Sequence, residues 1–256
     1  MNWLTPEVIR LLGQGIILTL VLTAVTSAGA LAVGIAAGIA RLSGSGLWRS
    51  AAVVHVEIHR NIPALVLIIF WAFALPNLLP PGMRQTIFFK NIIMDGLSDL
   101  TSLSVPYYAL AAAFALTLNT SAYLAELFRA GVGTIPREHL DAARSLGASP
   151  AVVLRTILIP EGIRASFPAM STRLIHNMKN TALAAFVSVP EFFHGIQTAI
   201  TRSFRAVEFL LLAGVIYLLL SYGYSLLLTA VERRLARRQV SAVFHHADKG
   251  WQLRRV

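Results

Sequence analysis

The sequence contains no cysteine and few charged residues, and each absence excludes whole classes of protein. None of its 256 residues is cysteine, so disulfide bonds, cysteine-ligated zinc and a cysteine nucleophile are excluded. Charged residues make up only 13% and hydrophobic residues 56% of the chain, whereas soluble domains have roughly 25% charged and 45–50% apolar residues. Polar side chains are too few to cover a globule, which excludes a cytosolic enzyme, a secreted scaffold and a disordered tail. The composition indicates an integral membrane protein.

The chain also lacks the short motifs that bind nucleotides or catalytic metals. It has no G-x-x-x-x-G-K-[ST] sequence to hold the phosphates of ATP and no H-E-x-x-H sequence. His176 has no second histidine or carboxylate at ligand spacing, so we predict no metal site there. We therefore expect a chain that binds no cofactor of its own and catalyses no reaction, and any ATP and magnesium must be held by a partner.

Five apolar stretches predict an all-α membrane protein with five transmembrane helices. A helix needs roughly 20 predominantly apolar residues to cross a bilayer, and the first stretch has 30 uncharged residues. The fourth is the weakest, because it carries several polar residues. We expect one transmembrane domain over residues 1–256, with a cytoplasmic loop at 129–172. The predicted spans cover, approximately, residues 11–40, 51–74, 105–128, 173–190 and 209–231.

The net charge of +10 is distributed unevenly between the loops. Fifteen Lys and Arg residues lie on one side of the predicted spans, most of them in the loop from Arg129 to Arg173 and in the C-terminal tail, and five lie on the other side. Cytoplasmic loops are enriched in Lys and Arg. This bias predicts an N-terminus outside and a C-terminus in the cytoplasm, and it makes nucleic-acid binding improbable as an explanation of the charge.

The loop has the pattern of two short amphipathic helices. Pro136 suits a helix start, and Gly147 can adopt a positive φ and close the first helix. Ser149 followed by Pro150 forms a second helix start, and Pro160 is predicted to end that helix. From periodicity alone, a helical hairpin on the membrane surface is as good an interpretation as a docking element.

The same loop resembles the EAA loop of ATP-binding-cassette (ABC) importer permeases. That family pattern is EAA, three residues, Gly, nine residues and I-x-L-P. The sequence has Asp141-Ala-Ala, three residues, Gly147, nine residues and Ile157-Leu-Ile-Pro160. Asp141 replaces Glu, which keeps the carboxylate but shortens its reach, and Ile159 replaces Leu.

The resemblance extends over nearly the whole chain and points to the polar amino acid permease subfamily, of histidine, glutamine, glutamate or arginine type. The sequence is similar to that subfamily in several collinear segments, at residues 15–20, 40–43, 60–66, 116–131, 179–183 and 189–191. The resemblance implies that the chain is one of the two permease subunits of a type I importer in the bacterial inner membrane. Its expected partners are a second permease subunit, identical or homologous, a dimer of ABC ATPase subunits and a periplasmic substrate-binding protein. Substrate would cross by alternating access.

The resemblance also implies which loop residues couple to the ATPase. Asp141 would pair with a basic residue of the ATPase, or alternatively remain a solvated charge near a helix N-terminus. Small side chains at two positions would permit close approach, and Gly147 would set the angle between the two helices, a role compatible with an ordinary helix cap. The predicted coupling residues are Asp141, Ala142, Ala143, Gly147, Ile157 and Pro160.

Two pairs of opposite charge lie at the cytoplasmic ends of spans. Glu57 and Arg60 are three residues apart, as are Glu126 and Arg129. Ionisable residues within spans are functional candidates because their burial in lipid is costly. Each pair could be a structural ion pair or part of an inner gate in which Glu126 contacts Arg60.

Span four is the best candidate for lining a pore. His176, Asn177, Lys179 and Asn180 are tolerable in a span only if they face water or a partner subunit, and Asn119 in span three is a further candidate. Lys179 could instead extend to the membrane surface. The charge class of the cargo cannot be inferred from Asn180.

Two other functions are weighed against the importer permease. An ion-coupled secondary transporter of small polar solutes usually has a carboxylate deep in a span and an internal repeat. A membrane enzyme needs a convergent set of catalytic side chains. The sequence shows neither pattern. Gly34 and Gly38 predict close helix packing within the subunit, and the segment 80–104 is assigned no role.

Overall fold

The computed structural model describes residues 4–89, 96 and 106–252 of the chain. These residues form helices without a strand among them, which confirms the all-α prediction. A π turn spans Leu154–Leu158 and a 3-10 turn spans Thr181–Val187. The helices are α1 (Pro6–Leu42), α2 (Gly46–Asn61), α3 (Ala64–Leu78), α4 (Pro81–Phe89), α5 (Tyr107–Gly133), α6 (Arg137–Ser145), α7 (Pro150–Val153), α8 (Ile159–Asn180), α9 (Phe192–Ser203) and α10 (Ala206–Gln252).

Helix α5 is the centre of the bundle, and glycines allow its neighbours to approach. A Cβ on Gly34 of α1 would lie 2.8 Å from the Leu124 Cβ, and one on Gly38 would lie 2.6 Å from Phe128 Cδ1. On the other side, a Cβ on Gly131 would lie 2.8 Å from the carbonyl oxygen of Gly162 in α8. Small residues bring backbones together where lipid provides no hydrophobic drive for association. The predicted packing role of Gly34 and Gly38 is confirmed.

The second predicted span is broken rather than straight. Helices α2 and α3 meet at 107° around Ile62 and Pro63. Ile62 is extended, with φ −90° and ψ 131°, as expected for a residue that precedes proline. Helices α1, α5 and residues 206–235 of α10 are each long and apolar enough to span a membrane, and the bent pair α2–α3 could form a fourth span.

The end of the loop differs from the prediction. Pro160 was expected to end the second loop helix, but it lies in the first turn of α8, and the backbone remains helical from Pro150 through Asn180. A proline removes one N–H from the ladder and displaces the preceding turn. The π turn at 154–158 directly before Pro160 accommodates that displacement. The predicted span 173–190 is therefore the C-terminal part of α8 with the 3-10 turn.

Two sequence regions extend outside the described residues. The segment 80–104 contains α4, and most of the remainder, with Lys90, is not described. The last residues of the basic tail, including Arg254 and Arg255, also lie outside them.

Candidate functional site

Helix α6 is an amphipathic helix on the surface, and its His139 Nδ1 lies 3.3 Å from Glu161 Oε2 of α8. All of its residues are at least partly exposed, and Leu146, its C-cap, has 89% of its surface exposed. The Asp141 carboxylate contacts Arg144 of its own helix at 3.4 Å, and Ala142 is exposed. Gly147 follows with φ +78°, a conformation that L-residues adopt only with strain. The helix thus leaves an apolar face and a carboxylate available to another protein.

The second half of the loop anchors the first to the bundle. The Ser149 hydroxyl accepts from the Val152 N–H at 3.4 Å and caps α7, as predicted. Ile157 and Pro160 are partly buried, and Val153 is buried. A cavity of about 530 Å³ separates this part of the loop from the turn between α1 and α2, where Ser43 lies. The two helices therefore differ in burial, since every residue of α6 is at least partly exposed whereas Val153 of α7 is buried.

Glu126 joins α5 to the C-terminal end of α1. Its carboxylate pairs with Arg129 of its own helix, where Nε donates at 3.0 Å, and with Arg41 of α1. The Arg41 side chain is 16% exposed and that of Arg129 is 46% exposed. The partner of Glu126 across helices is thus Arg41 instead of Arg60. The pattern of apolar residues ends the first predicted span at residue 40, so a contact of Arg41 with Glu126 was not predicted.

Glu57 and Arg60 do not behave as a pair. The Glu57 carboxylate accepts from Asn61 Nδ2 at 3.1 Å, and within the described residues no ion pair includes Arg60. The Arg60 carbonyl accepts from the Tyr123 hydroxyl at 3.0 Å. The spacing of three residues places the Glu57 and Arg60 side chains on one surface of α2. The Glu57 carboxylate nevertheless accepts its hydrogen bond from Asn61, in the last turn of the helix.

Asn119 and Tyr123 of α5 hold the end of α2 at its bend. Asn119 Nδ2 donates to the His59 carbonyl at 2.7 Å. Carbonyls in the last turn of a helix have no intrahelical partner, so these bonds satisfy two of them. Arg173 of α8 completes the arrangement, because its Nη2 donates to Asn119 Oδ1 at 2.7 Å and its guanidinium carbon lies 3.7 Å from the centroid of the Tyr123 ring. Asn119 is 3% exposed and supports the bend.

Asn177 occupies the interior of the bundle. Its Nδ2 donates to the Thr26 hydroxyl at 2.8 Å and to the Ser27 hydroxyl at 3.4 Å, and its Oδ1 accepts from Thr120 at 2.8 Å. The side chain is fully buried. This amide joins α1, α5 and α8, so it does not line a surface of the isolated chain, contrary to the pore-lining interpretation.

The other candidate pore-lining residues of α8 are at least partly exposed. His176 and Lys179 are exposed, and Asn180 is partly exposed. They continue a strip of small or weakly polar residues along the same helix. The strip consists of Ala165, Pro168, Ala169, Thr172, His176 and Lys179.

The exposed side of α10 has the opposite character. Its most exposed residues are large and apolar, as expected of a surface in contact with lipid. They include Leu210, Leu211, Val215, Leu218, Leu219, Leu226 and Leu227, each at least 50% exposed. The exposed side of α8 is therefore less apolar than that of α10, as expected of a surface that contacts water or another protein.

Glu191 is a buried carboxylate whose contacts were not anticipated from the sequence. It is 0% exposed, it caps α9 by accepting from the His194 N–H at 2.8 Å, and it accepts from the hydroxyls of Thr19 and Tyr217 at 3.1 Å each. Two hydroxyls and one N–H satisfy this acceptor. Only the position of Glu191 before an amphipathic helix hinted at the cap.

Comparison with known proteins assigns the family. Residues 30–237 match the family described as "Binding-protein-dependent transport system inner membrane component". The chain belongs to this family. It is 30% identical to the glutamine transport system permease protein GlnP of Escherichia coli K12, over 89% of this chain and 94% of that protein. It is 29% identical to the glutamate/aspartate import permease protein GltK of Escherichia coli O6:H1, over 87% and 92%.

Solved structures agree with the family. A chain from a crystal structure of an amino acid ABC transporter with histidines has a TM-score of 0.69 and 25% identity, and the match covers 89% of this chain and 95% of that one. The inward-facing MetNI methionine ABC transporter gives a TM-score of 0.65 at 18% identity, over 91% and 99%, which supports the fold alone. These findings favour an ABC importer permease over an ion-coupled secondary transporter.

Proposed function

We propose that this chain is the membrane-spanning permease subunit of an ABC importer for polar amino acids in a bacterial inner membrane. The observation that carries the proposal is the exposed helix α6, ended by a left-handed Gly147, in a chain that matches the permease family over residues 30–237. The relatives that support an amino acid cargo are named for glutamine and for glutamate and aspartate.

Helix α6 is proposed to insert into a groove of a cytoplasmic ATPase. Asp141 is 69% exposed at its side chain, and its one ion pair among the described residues is with Arg144 at 3.4 Å, so it can exchange that contact for a basic residue of the partner at little cost. Ala142 and Ala143 permit close approach. Closure of the ATPase pair on ATP binding would move α6, and Gly147 with α7 would transmit the movement to α8. ATP and magnesium are bound by the partner in this proposal.

The topology we propose has five spans with an external N-terminus. The predicted span at 11–40 lies within α1, residues 107–128 of the predicted span 105–128 lie within α5, and 209–231 lies within α10. The bent pair α2–α3 would form the second span. The C-terminal half of α8 would form the fourth span. Its polar strip makes it less apolar than the other spans, and such a strip is tolerable in a membrane if it faces a second permease subunit or the substrate path.

The proposed partners are a second permease subunit, an ATPase dimer and a periplasmic binding protein. Residues near the cytoplasmic end of α5 support an inner gate, since Glu126 holds α1 and α5 together through Arg41. His176, Lys179 and Asn180 remain candidates for lining the path. Glu57 and Arg60 remain gate candidates as separate groups instead of as an ion pair.

Co-purification tests the proposal directly. The tagged chain is isolated from its native membrane in mild detergent beside an Asp141→Lys variant and a matched Glu138→Lys variant of the same exposed helix. We expect an ATPase to accompany the native chain and the Glu138→Lys chain but to be lost from Asp141→Lys, because charge inversion at the docking carboxylate repels the basic partner. Absence of an ATPase under every mild condition would contradict the proposal.

A further inference from the structure

A cavity of about 380 Å³ lies where α6 meets α8 and α10. Its volume falls within the range of roughly 300–1,000 Å³ that is usual for small-molecule sites. The walls come from the turn between α5 and α6, from His139 of α6, from the N-terminal half of α8, and from Glu232 and Leu235 of α10. We call it the α6 cavity, and the proposed topology places it on the cytoplasmic side of the membrane.

Two side chains of opposite charge line the α6 cavity without an ion-pair partner. Arg164 of α8 and Glu232 of α10 are both partly buried. No ion pair among the described residues includes either of them, so they also do not pair with each other across the cavity. A partly buried charge without a partner is costly. The two groups therefore offer one contact for a cation and one for an anion within a single cavity.

The other titratable groups of the lining contact each other. Glu161 of α8 has its Oε2 3.3 Å from Nδ1 of His139, so this carboxylate is already engaged. Ile135, Phe167 and Leu235 contribute apolar surface. A molecule that carries both an ammonium and an anionic group matches this lining better than a simple cation or anion, because a simple ion would satisfy one of the two free charges and be repelled by the other.

We propose that the α6 cavity binds a small zwitterion with a primary ammonium and an anionic oxygen group. The ammonium donates to Glu232, and the anionic group accepts from Arg164. Two molecules have this chemistry on the cytoplasmic side, a free amino acid and the headgroup of phosphatidylethanolamine. Because His139 lies in the wall, a bound zwitterion holds α6 against α8 and α10. The site itself does not depend on the proposed function, whereas its effect on coupling to an ATPase rests on it.

A thiol in the wall reports occupation of the cavity. Thr134 is exposed and lines the cavity, and the chain has no native cysteine. The Thr134→Cys chain is purified with any subunits that accompany it, placed in phosphatidylcholine nanodiscs and labelled with a maleimide, and the mass shift of the chain gives the rate. We expect saturating L-glutamine to slow labelling about tenfold. N-acetyl-L-glutamine lacks the ammonium and L-glutamine amide lacks the carboxylate, so each should need about a tenfold higher concentration to protect.

A second arm distinguishes the lipid from the free amino acid. Without amino acid, the labelling rate is compared between nanodiscs of phosphatidylcholine alone and nanodiscs that contain phosphatidylethanolamine. Both lipids carry the phosphate, but the quaternary ammonium of choline has no N–H to donate to Glu232. Slower labelling with phosphatidylethanolamine identifies the headgroup as the ligand, and protection by L-glutamine in phosphatidylcholine identifies the amino acid. Either result supports the site.

Matched variants assign the protection to the two unpaired charges. In the Thr134→Cys chain, Arg164→Gln and Glu232→Gln should each raise the half-protecting concentration about tenfold or more. Arg155→Gln and Glu138→Gln remove exposed charges that do not line the cavity, and they should leave that concentration unchanged.

A separate control tests the labelling reagent. Phe204→Cys places a thiol at a position that is 91% exposed and outside the cavity. Its labelling rate should not respond to L-glutamine or to the lipid, so any slowing at Thr134→Cys belongs to the cavity.

Several outcomes would overturn the inference. One is a Thr134→Cys labelling rate that neither L-glutamine nor phosphatidylethanolamine changes, and another is protection that survives both Arg164→Gln and Glu232→Gln. Equal protection by the acetylated and amidated derivatives would exclude a zwitterion site. A Thr134→Cys thiol that stays unreactive in phosphatidylcholine without amino acid would show that another subunit fills the cavity. Failure of the proposed function is a different result, because no ATPase would then co-purify, while protection at Thr134→Cys is still measured on the chain itself.

Discussion

Asn177 joins three helices through one amide. It contacts hydroxyls of Thr26 and Ser27 in α1 and of Thr120 in α5. Each hydrogen bond between helices in a membrane contributes on average about 0.6 kcal/mol and at most about 1.7, but a buried partner that is left unmatched adds a cost of its own. The residue therefore stabilises the α1–α5–α8 contact in addition to the apolar packing.

We expect Asn177→Leu to lower the free energy of unfolding by about 1–3 kcal/mol, because it keeps the volume but leaves the buried Thr120 hydroxyl without an acceptor. Thermal unfolding of the purified chain in detergent measures this change. Asn180→Leu, at a partly exposed position of the same helix, serves as the matched control. Equal shifts for the two variants would show that the network adds nothing.

Glu126 has two arginine partners in different environments. The Arg41 side chain is 16% exposed, whereas that of Arg129 is 46% exposed. Solvent weakens the attraction between exposed charges. The Arg41 pair is thus the less exposed of the two, although Arg129 donates two hydrogen bonds to the same carboxylate.

A double-mutant cycle can separate the two pairs. With Glu126→Gln, Arg41→Gln and Arg129→Gln, we expect a coupling energy of about 1 kcal/mol or more for Arg41 and below about 0.5 kcal/mol for Arg129. The cycle is read from thermal unfolding of the purified complex. A larger coupling for Arg129 would mean that Glu126 stabilises its own helix instead of the α1–α5 contact.

At the scale of elements, Gly147 lies between α6 and α7 in a left-handed conformation. Its φ of +78° is disfavoured for a residue with a Cβ by about 1–2 kcal/mol. A Cβ there would meet no described atom within 4 Å. A substitution therefore acts through the backbone and changes the direction of α6 without disturbing the packing.

We expect Gly147→Val to abolish ATP-dependent uptake while the chain still inserts in the membrane, because α6 would no longer fit the ATPase. Uptake in vesicles, together with the amount of chain in the membrane fraction, measures both. Gly133→Val is the control, since a Cβ at Gly133 likewise meets no described atom within 4 Å and its φ is not positive. Normal uptake by Gly147→Val would contradict the docking role.

For the whole molecule, the proposed topology places the coupling loop and the α9–α10 connection on opposite sides of the membrane. Leu146 in the loop is 89% exposed and Phe204 between α9 and α10 is 91% exposed. The absence of cysteine makes accessibility labelling free of background. Each position can therefore be tested by a single introduced thiol.

We expect Phe204→Cys to react with a membrane-impermeant maleimide in intact spheroplasts, and Leu146→Cys to react only after the membrane is opened. The reason is the excess of Lys and Arg in the loop that contains Leu146. Labelling is read by the mass shift of the purified chain. The reverse pattern would invert the topology, and reaction of both thiols in intact spheroplasts would change the number of spans.

Composition and local spacing determined the membrane class, the all-α fold, the capping of α7 by Ser149 and the left-handed Gly147. These features depend on residues that are close together in the sequence, because the interactions that cause them act within one or two turns of helix. The spacing of the loop motif likewise predicted the family to which the chain belongs.

Only the tertiary structure decided which polar side chains are buried and which remain exposed. Spacing places Asn177 beside His176, yet Asn177 is enclosed by α1 and α5 while His176 is exposed. Arg41 meets Glu126 from 85 residues away, and Pro160 continues a helix because a π turn precedes it. A contact between distant residues depends on how helices approach, and glycines such as Gly38 and Gly131 set that approach through the backbone atoms that they allow to meet.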